Sequence, residues 1–158
     1  MSLSVSFMGL PLKNPIIAAA GPWCRDATAM QKAIDAGAAA VVTETITLEK
    51  SHMVSPRIFY RQGEVYNTTL YSTQTLEEVE QEAERLHKGD AFLICNIRGT
   101  TPSELRYLAS RMQRLGADAL ELCCFTPIGT KLEDISIRPE EVGEMVRGVT
   151  SAVEIPVM

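Results

Sequence analysis

No uninterrupted apolar run in this 158-residue chain approaches the roughly 18 residues that a membrane span needs. The first residues, Met-Ser-Leu-Ser-Val-Ser, form neither a basic n-region nor a long apolar h-region, so neither export nor membrane insertion is expected. Basic runs and stripes of mixed aromatic and basic residues are missing too. With a net charge of −5, this argues against a general nucleic-acid binder. The four cysteines, Cys24, Cys95, Cys123 and Cys124, show no C-x-x-C pairing, and no metal site is expected. Adjacent Cys123 and Cys124 on a strand would point to opposite faces, which disfavours a bridge between them. Reduced thiols in the cytoplasm are the simplest reading.

What is present is an ordinary soluble composition, 46% apolar and 22% charged, long enough for one domain with a substantial core. Strand and helix patterns alternate almost throughout. Ile16–Ala20 is an apolar run stopped by Gly21-Pro22. Asp26 can cap a helix that carries Ala27, Met30 and Ile34 on one face and ends near Gly37. Ala39–Thr43 reads as a second strand, and Thr75-x-x-Glu78 as a capping box before Val79, Ala83 and Leu86. Ala91–Ile97 is a third strand. Thr101-Pro102-Ser103-Glu104 is another capping box, with proline where its missing N–H costs least. The stripe Leu105, Leu108, Met112 and Leu115 predicts packing against a sheet. Ala119–Cys123 is a fourth strand, Pro139–Ala152 a fourth helix and Ile155–Met158 the start of a fifth strand. The acidic run Glu77–Glu84 reads as a solvated helix face, and His52 and His87 as ordinary loop and helix-end residues.

Strands apolar on both faces and joined by helices predict an α/β fold with a covered parallel sheet. Two hairpins are expected besides. One, Val5–Met8 with Leu10–Leu12 about Gly9, would close the lower end of a barrel. The other, Arg57–Tyr60 with Glu64–Tyr66 about Arg61-Gln62-Gly63, sits in a long link from about Thr45 to Gln74, and links of that length are usually functional. A fifth strand without a covering helix would leave an open edge. The pattern therefore predicts the N-terminal half of a single (β/α)8 TIM barrel over residues 1–158; a complete flavodoxin-like domain is the alternative. In either fold, chemistry belongs at the carboxyl ends of the strands. That draws attention to Gly116–Gly129, where an apolar strand stops in Cys123-Cys124-Phe125-Thr126-Pro127.

Several segments in order resemble the FMN-dependent dihydroorotate dehydrogenases of the soluble class, and the related flavin domain of dihydropyrimidine dehydrogenase. They are Val5–Gly21, Gly37–Thr47, Pro56-Arg57, Asn67, Asn96, Gly116–Leu122 and Val153–Met158. The resemblance implies a (β/α)8 barrel with FMN over the strand ends and a flavin phosphate site beyond residue 158. Ala20 and Gly21 would approach the flavin by backbone, Thr45 would touch it, and Asn96 would hydrogen-bond its ring. Asn67 would begin a substrate-binding loop running through Thr68, Thr69, Leu70 and Tyr71. A homodimer and an electron-transfer partner are implied at the same level.

Departures fall at the chemistry. The family motif after the fourth strand is Asn-x-x-Cys-Pro-Asn, with serine for cysteine in some members; here the positions read Cys123, Thr126, Pro127 and Ile128. Cys123 thus stands where a ligand to flavin and substrate is expected, and Thr126 where the catalytic base is expected. A threonine hydroxyl acts as a base only with a neighbouring base or relay. The family's Gly-containing loop after Asn67 is replaced by Thr68–Tyr71, and the strand-two lysine beside the flavin has become Glu44. An ionised Glu44 would lower the flavin's reduction potential or repel an anion such as orotate. Burial would keep it neutral, and a salt bridge to Arg98 or Arg57 is the structural alternative. The expected function is hydride transfer between FMN and a CH–CH bond of a small cyclic, dihydropyrimidine-like substrate other than dihydroorotate. A flavin-free barrel lyase or isomerase, and a non-catalytic paralogue acting as a binding subunit, are the competing readings.

Overall fold

The computed structural model describes residues 2–51, 57–68, 71–124 and 139–158. Two short strands come first, β1 (Val5–Phe7) and β2 (Leu10–Leu12), paired antiparallel. Then follow β3 (Ile17–Ala18), α1 (Ala27–Asp35) and β4 (Ala40–Val42). A second antiparallel hairpin is made of β5 (Ile58–Arg61) and β6 (Glu64–Asn67). The remaining elements are α2 (Leu76–Arg85), β7 (Phe92–Ile97), α3 (Pro102–Leu115), β8 (Ala119–Leu122) and α4 (Pro139–Thr150).

One parallel sheet runs β3-β4-β7-β8. Beyond β8 the chain returns at Pro156–Met158, where Leu120 N–H donates to Pro156 O and Met158 N–H to Leu120 O. A single parallel bridge, Leu120 to Val157, marks the expected fifth strand. Each new strand is therefore added on the same side, in chain order. A flavodoxin-like sheet reverses its order after the first strand, so that alternative is set aside. The described sheet is open, and no closed barrel is seen among the described residues.

Both faces of the sheet are filled, which is why its strands read as unbroken apolar runs. Val41, Leu93, Cys95, Ile97 and Leu120 face the helices, where they meet Met30, Ile34, Val79, Leu105, Leu108 and Met112. Ala40, Val42, Ile94 and Ala119 face the other way and are covered by Leu12 with Phe7 and Leu10 of the first hairpin. That hairpin thus seals the end of the inner face at which the strands begin.

Local chemistry fixes the helix boundaries. Asp26 caps α1 by accepting from Ala29 N–H at 2.8 Å. Thr75 and Glu78 form the full reciprocal box at α2. At α3 only half of the expected box forms. Thr101 accepts from Glu104 N–H, but the Glu104 carboxylate turns to the N–H and hydroxyl of Thr100. Gly116 ends α3 at φ 94°, a left-handed conformation in which a Cβ is unfavourable. The acidic run is less solvated than its composition suggests. Glu80 binds Arg111 of α3 through both carboxylate oxygens, and Glu82 accepts from Ala27 N–H at the start of α1.

Candidate functional site at the carboxyl edge of the sheet

The strands β3, β4, β7 and β8 all end at one edge of the sheet; Ala20, Gly21, Glu44, Thr45 and Cys123 follow them directly, and Asn96 lies near the end of β7. Ala20 and Gly21 lie just past β3, Ala20 exposed and Gly21 half-buried. Gly21 has φ 149° and ψ −171°, a region open essentially to glycine alone. A Cβ there would meet nothing within 4 Å, so the backbone is open to close approach.

Past β4, Glu44 is only 5% exposed, and its Oε1 takes a hydrogen bond from Arg57 Nη2 at 2.5 Å. Of the two arginines considered from sequence, Arg57 is thus the partner. Burial raises the Glu44 carboxyl above its ordinary range, with the Arg57 guanidinium opposing. The half-buried Thr45 accepts at its carbonyl from Ser72 N–H at 2.9 Å. The long loop therefore leaves and rejoins the sheet at the same edge.

Arg57 also organises the base of the second hairpin, since its carbonyl accepts from both the N–H (2.8 Å) and the hydroxyl (3.1 Å) of Thr68. Asn67 pairs across the hairpin with Ile58 and is exposed; its link to the strand ends runs through this Arg57 junction. The hairpin is held by a cross-strand stack of Phe59 on Tyr66, centroids 4.9 Å apart. Tyr71 returns to the edge, where the Arg98 guanidinium lies 5.4 Å from its ring centroid. Arg98 also donates to Cys123 O at 3.3 Å, so one cation joins the loop, β7 and β8. Burial raises the Tyr71 phenol, and Arg98 opposes this.

Asn96 is the most constrained of these residues. It is 5% exposed, its N–H donates to Thr43 Oγ1 at 3.1 Å, and its side-chain Nδ2 donates to Glu121 Oε1 on β8. Among the described residues its Oδ1 is buried without a partner. Such an orphan is uncommon in a folded interior and marks a place for a ligand or water. Glu121 went unassigned in the sequence reading. The signal was present, a carboxylate within the apolar strand Ala119–Leu122.

The thiols divide by burial. Cys95 lies on the helix side of β7 with its thiol pushed up to about 12 by burial. Burial also raises Cys24, which donates to Ala18 O, and Cys124. Cys24 and Cys95 are buried and behave as packed small hydrophobes, whereas Cys124 is half-buried. Cys123 is half-buried just beyond β8. Thr126, Thr69 and Leu70, with Pro56, Pro127, Ile128 and His52, lie outside the described residues. Among the described residues no cluster of three metal-ligating side chains occurs, and no helix is long and apolar enough to cross a membrane.

Comparisons with known proteins identify the family. The family described as dihydroorotate dehydrogenase matches residues 2–158. The catalytic subunit of dihydroorotate dehydrogenase B (NAD(+)) from Methanocella arvoryzae is 31% identical over 160 residues, covering 99% of this chain and 52% of the relative. The subunit of the same name from Pyrococcus abyssi is 31% identical over 159 residues, with the same coverage. The chloroplastic dihydropyrimidine dehydrogenase (NADP(+)) of Arabidopsis thaliana is 31% identical over 143 residues, covering 80% of this chain and 34% of the relative. The chain thus spans about half the length of the dihydroorotate dehydrogenase subunits it matches. With a family match over nearly its whole length and a parallel strand-helix succession, the chain belongs to the dihydroorotate dehydrogenase family.

Proposed function

We propose that residues 1–158 are the N-terminal half of one (β/α)8 flavin-binding barrel domain. The whole protein is then an FMN-dependent oxidoreductase acting on a CH–CH bond of a dihydropyrimidine-like ring other than dihydroorotate. The observation that carries this reading is Asn96, a locked amide whose buried acceptor has no partner among the described residues, at the carboxyl edge of the sheet. It suits the N–H edge of a flavin or pyrimidine ring. The open approach over Gly21 supports the same cofactor, because a flat ring can lie on backbone that carries no obstructing side chain.

Ala20, Gly21, Glu44, Thr45, Asn96 and Cys123 would hold the cofactor, and Asn67, Thr68, Thr69, Leu70 and Tyr71 the substrate. When bound, FMN supplies the hydride chemistry, and the protein contributes orientation and electrostatics. Thr126 and Cys123 are the candidates for moving the substrate proton. The substrate preference follows from charge. Glu44 stands in the position of the family's lysine and is matched by Arg57, so the pair offers an anionic carboxylate no net attraction. A homodimer in the cytoplasm with an electron-transfer partner completes the reading. The words "catalytic subunit" in the relatives' names support such a partner.

The test is spectral and kinetic, on the full-length protein. Flavin absorbance is expected on purification or after FMN is added, with dihydrouracil turned over faster than dihydroorotate. A protein that stays colourless with added FMN would overturn the cofactor assignment. Dihydroorotate turnover equal to or faster than that of dihydrouracil would overturn the substrate assignment.

A further inference from the structure

Asn96 and Glu121 are directly paired across β7 and β8, so both side chains project from the same face of the sheet. That face is the inner one, because Ile94 and Ala119 lie on it two residues earlier on each strand. An asparagine amide can be turned over without changing its shape, and its two ends have opposite hydrogen-bonding character. The neighbour decides which end goes where. A carboxylate oxygen accepts, so with Glu121 Oε1 beside it the NH2 end faces Glu121, and Oδ1 is left as the buried end without a partner among the described residues. The Asn96 backbone cannot swing to relieve this, since Thr43, just past the neighbouring strand β4, holds its N–H. A buried acceptor left unmade is costly, and a ligand that supplies a donor recovers that cost.

The geometry points to Glu121 as a positioning residue that fixes the polarity of the Asn96 amide, so that the site takes a ring edge carrying an N–H donor and disfavours one carrying an acceptor or an N-methyl group. In its ligand this rests on the flavin reading above; in its mechanism it concerns only two residues of the chain. Glu121→Gln is the informative change. Glutamine keeps the shape and can accept or donate, so Asn96 becomes free to present either end.

Two measurements on the full-length protein test this. Without ligand, the Asn96 side-chain NH2 protons of the wild type should resonate downfield of ordinary asparagines and exchange slowly with solvent, and E121Q should lose both properties. With ligand, the wild type should bind FMN at least about tenfold more tightly than FMN methylated at the ring imide nitrogen, and E121Q should narrow that preference by weakening its hold on FMN, because its Asn96 no longer presents Oδ1 alone to the imide N–H. Unchanged Asn96 resonances in E121Q overturn the proposal whether or not flavin binds. An unchanged preference for FMN in E121Q overturns it while leaving the flavin reading intact. If neither flavin binds the wild type, the flavin reading fails, and the Asn96 resonances alone decide the role of Glu121.

Discussion

A carboxylate as buried as Glu44 is tolerated because a guanidinium meets it, and that match has a measurable consequence. Burial holds the folded carboxyl above its ordinary value of 4.5, against the opposing pull of Arg57. Arg57→Met removes the pull and leaves the charge stranded, a change that typically costs about 3 kcal/mol. The sign with pH follows by linkage. A carboxyl whose folded pKa lies above its unfolded one binds more protons when folded, so its penalty applies at higher pH and fades as pH falls towards the unfolded value. The deficit of R57M in urea unfolding should therefore be largest near pH 7 and shrink towards about pH 5. A deficit independent of pH would show that Arg57 acts through packing of the hairpin base rather than through Glu44. Sequence offered both Arg57 and Arg98 as partners for Glu44, because only the path of the long loop decides between them. For the same reason it gave Glu121 no role, since the meeting of Asn96 with Glu121 depends on strand register.

Elements were more legible than contacts, and the reasons differ by element. The strands were found through apolar runs because helices cover one face and the first hairpin part of the other. Their ends were overestimated. The expected Ile16–Ala20 ladders only at Ile17–Ala18, and Ala119–Cys123 stops at Leu122, because side-chain pattern does not report where a neighbouring backbone ceases to pair. The hairpin turn was placed one residue early, with Arg61 still pairing to Glu64. Helix caps were read well since a cap is local, yet Glu104 chose Thr100 over the expected Thr101. The acidic run in α2 hid its bonds to α1 and α3, which no single-helix pattern contains. Gly116 provides the test at this scale. Its φ of 94° with open space around the missing Cβ means that Gly116→Ala is opposed by conformation alone, at about 1–2 kcal/mol. Asparagine tolerates this region better, so G116N should fall between wild type and G116A in denaturant midpoint. Equal losses for both variants would place the cost in packing instead.

At the scale of the whole molecule, the two edges of the sheet carry different duties. At the edge where strands begin, Asp118 Oδ2 accepts from Leu93 N–H at 2.7 Å and from Lys88 Nζ at 2.8 Å, and Lys88 reaches Gly116 O at 3.0 Å. Every group in that junction has a partner within the chain, so its role is cohesion. At the opposite edge, Asn96 Oδ1 has no partner among the described residues, and under the proposed function a ligand would supply the missing donor. Parallel strand-helix folds place function at the carboxyl ends and stability at the other, and this division can be measured with two substitutions. Asp118→Ala strands a backbone donor and a lysine, and should cost about 2 kcal/mol in urea unfolding with no change in FMN affinity. Asn96→Ala removes the orphaned acceptor together with one bond to Glu121, and should change stability by less than about 1 kcal/mol while weakening FMN binding at least tenfold. If D118A weakened FMN binding as much as N96A, the two edges would be coupled through the strands, and the separation of cohesion from binding would fail.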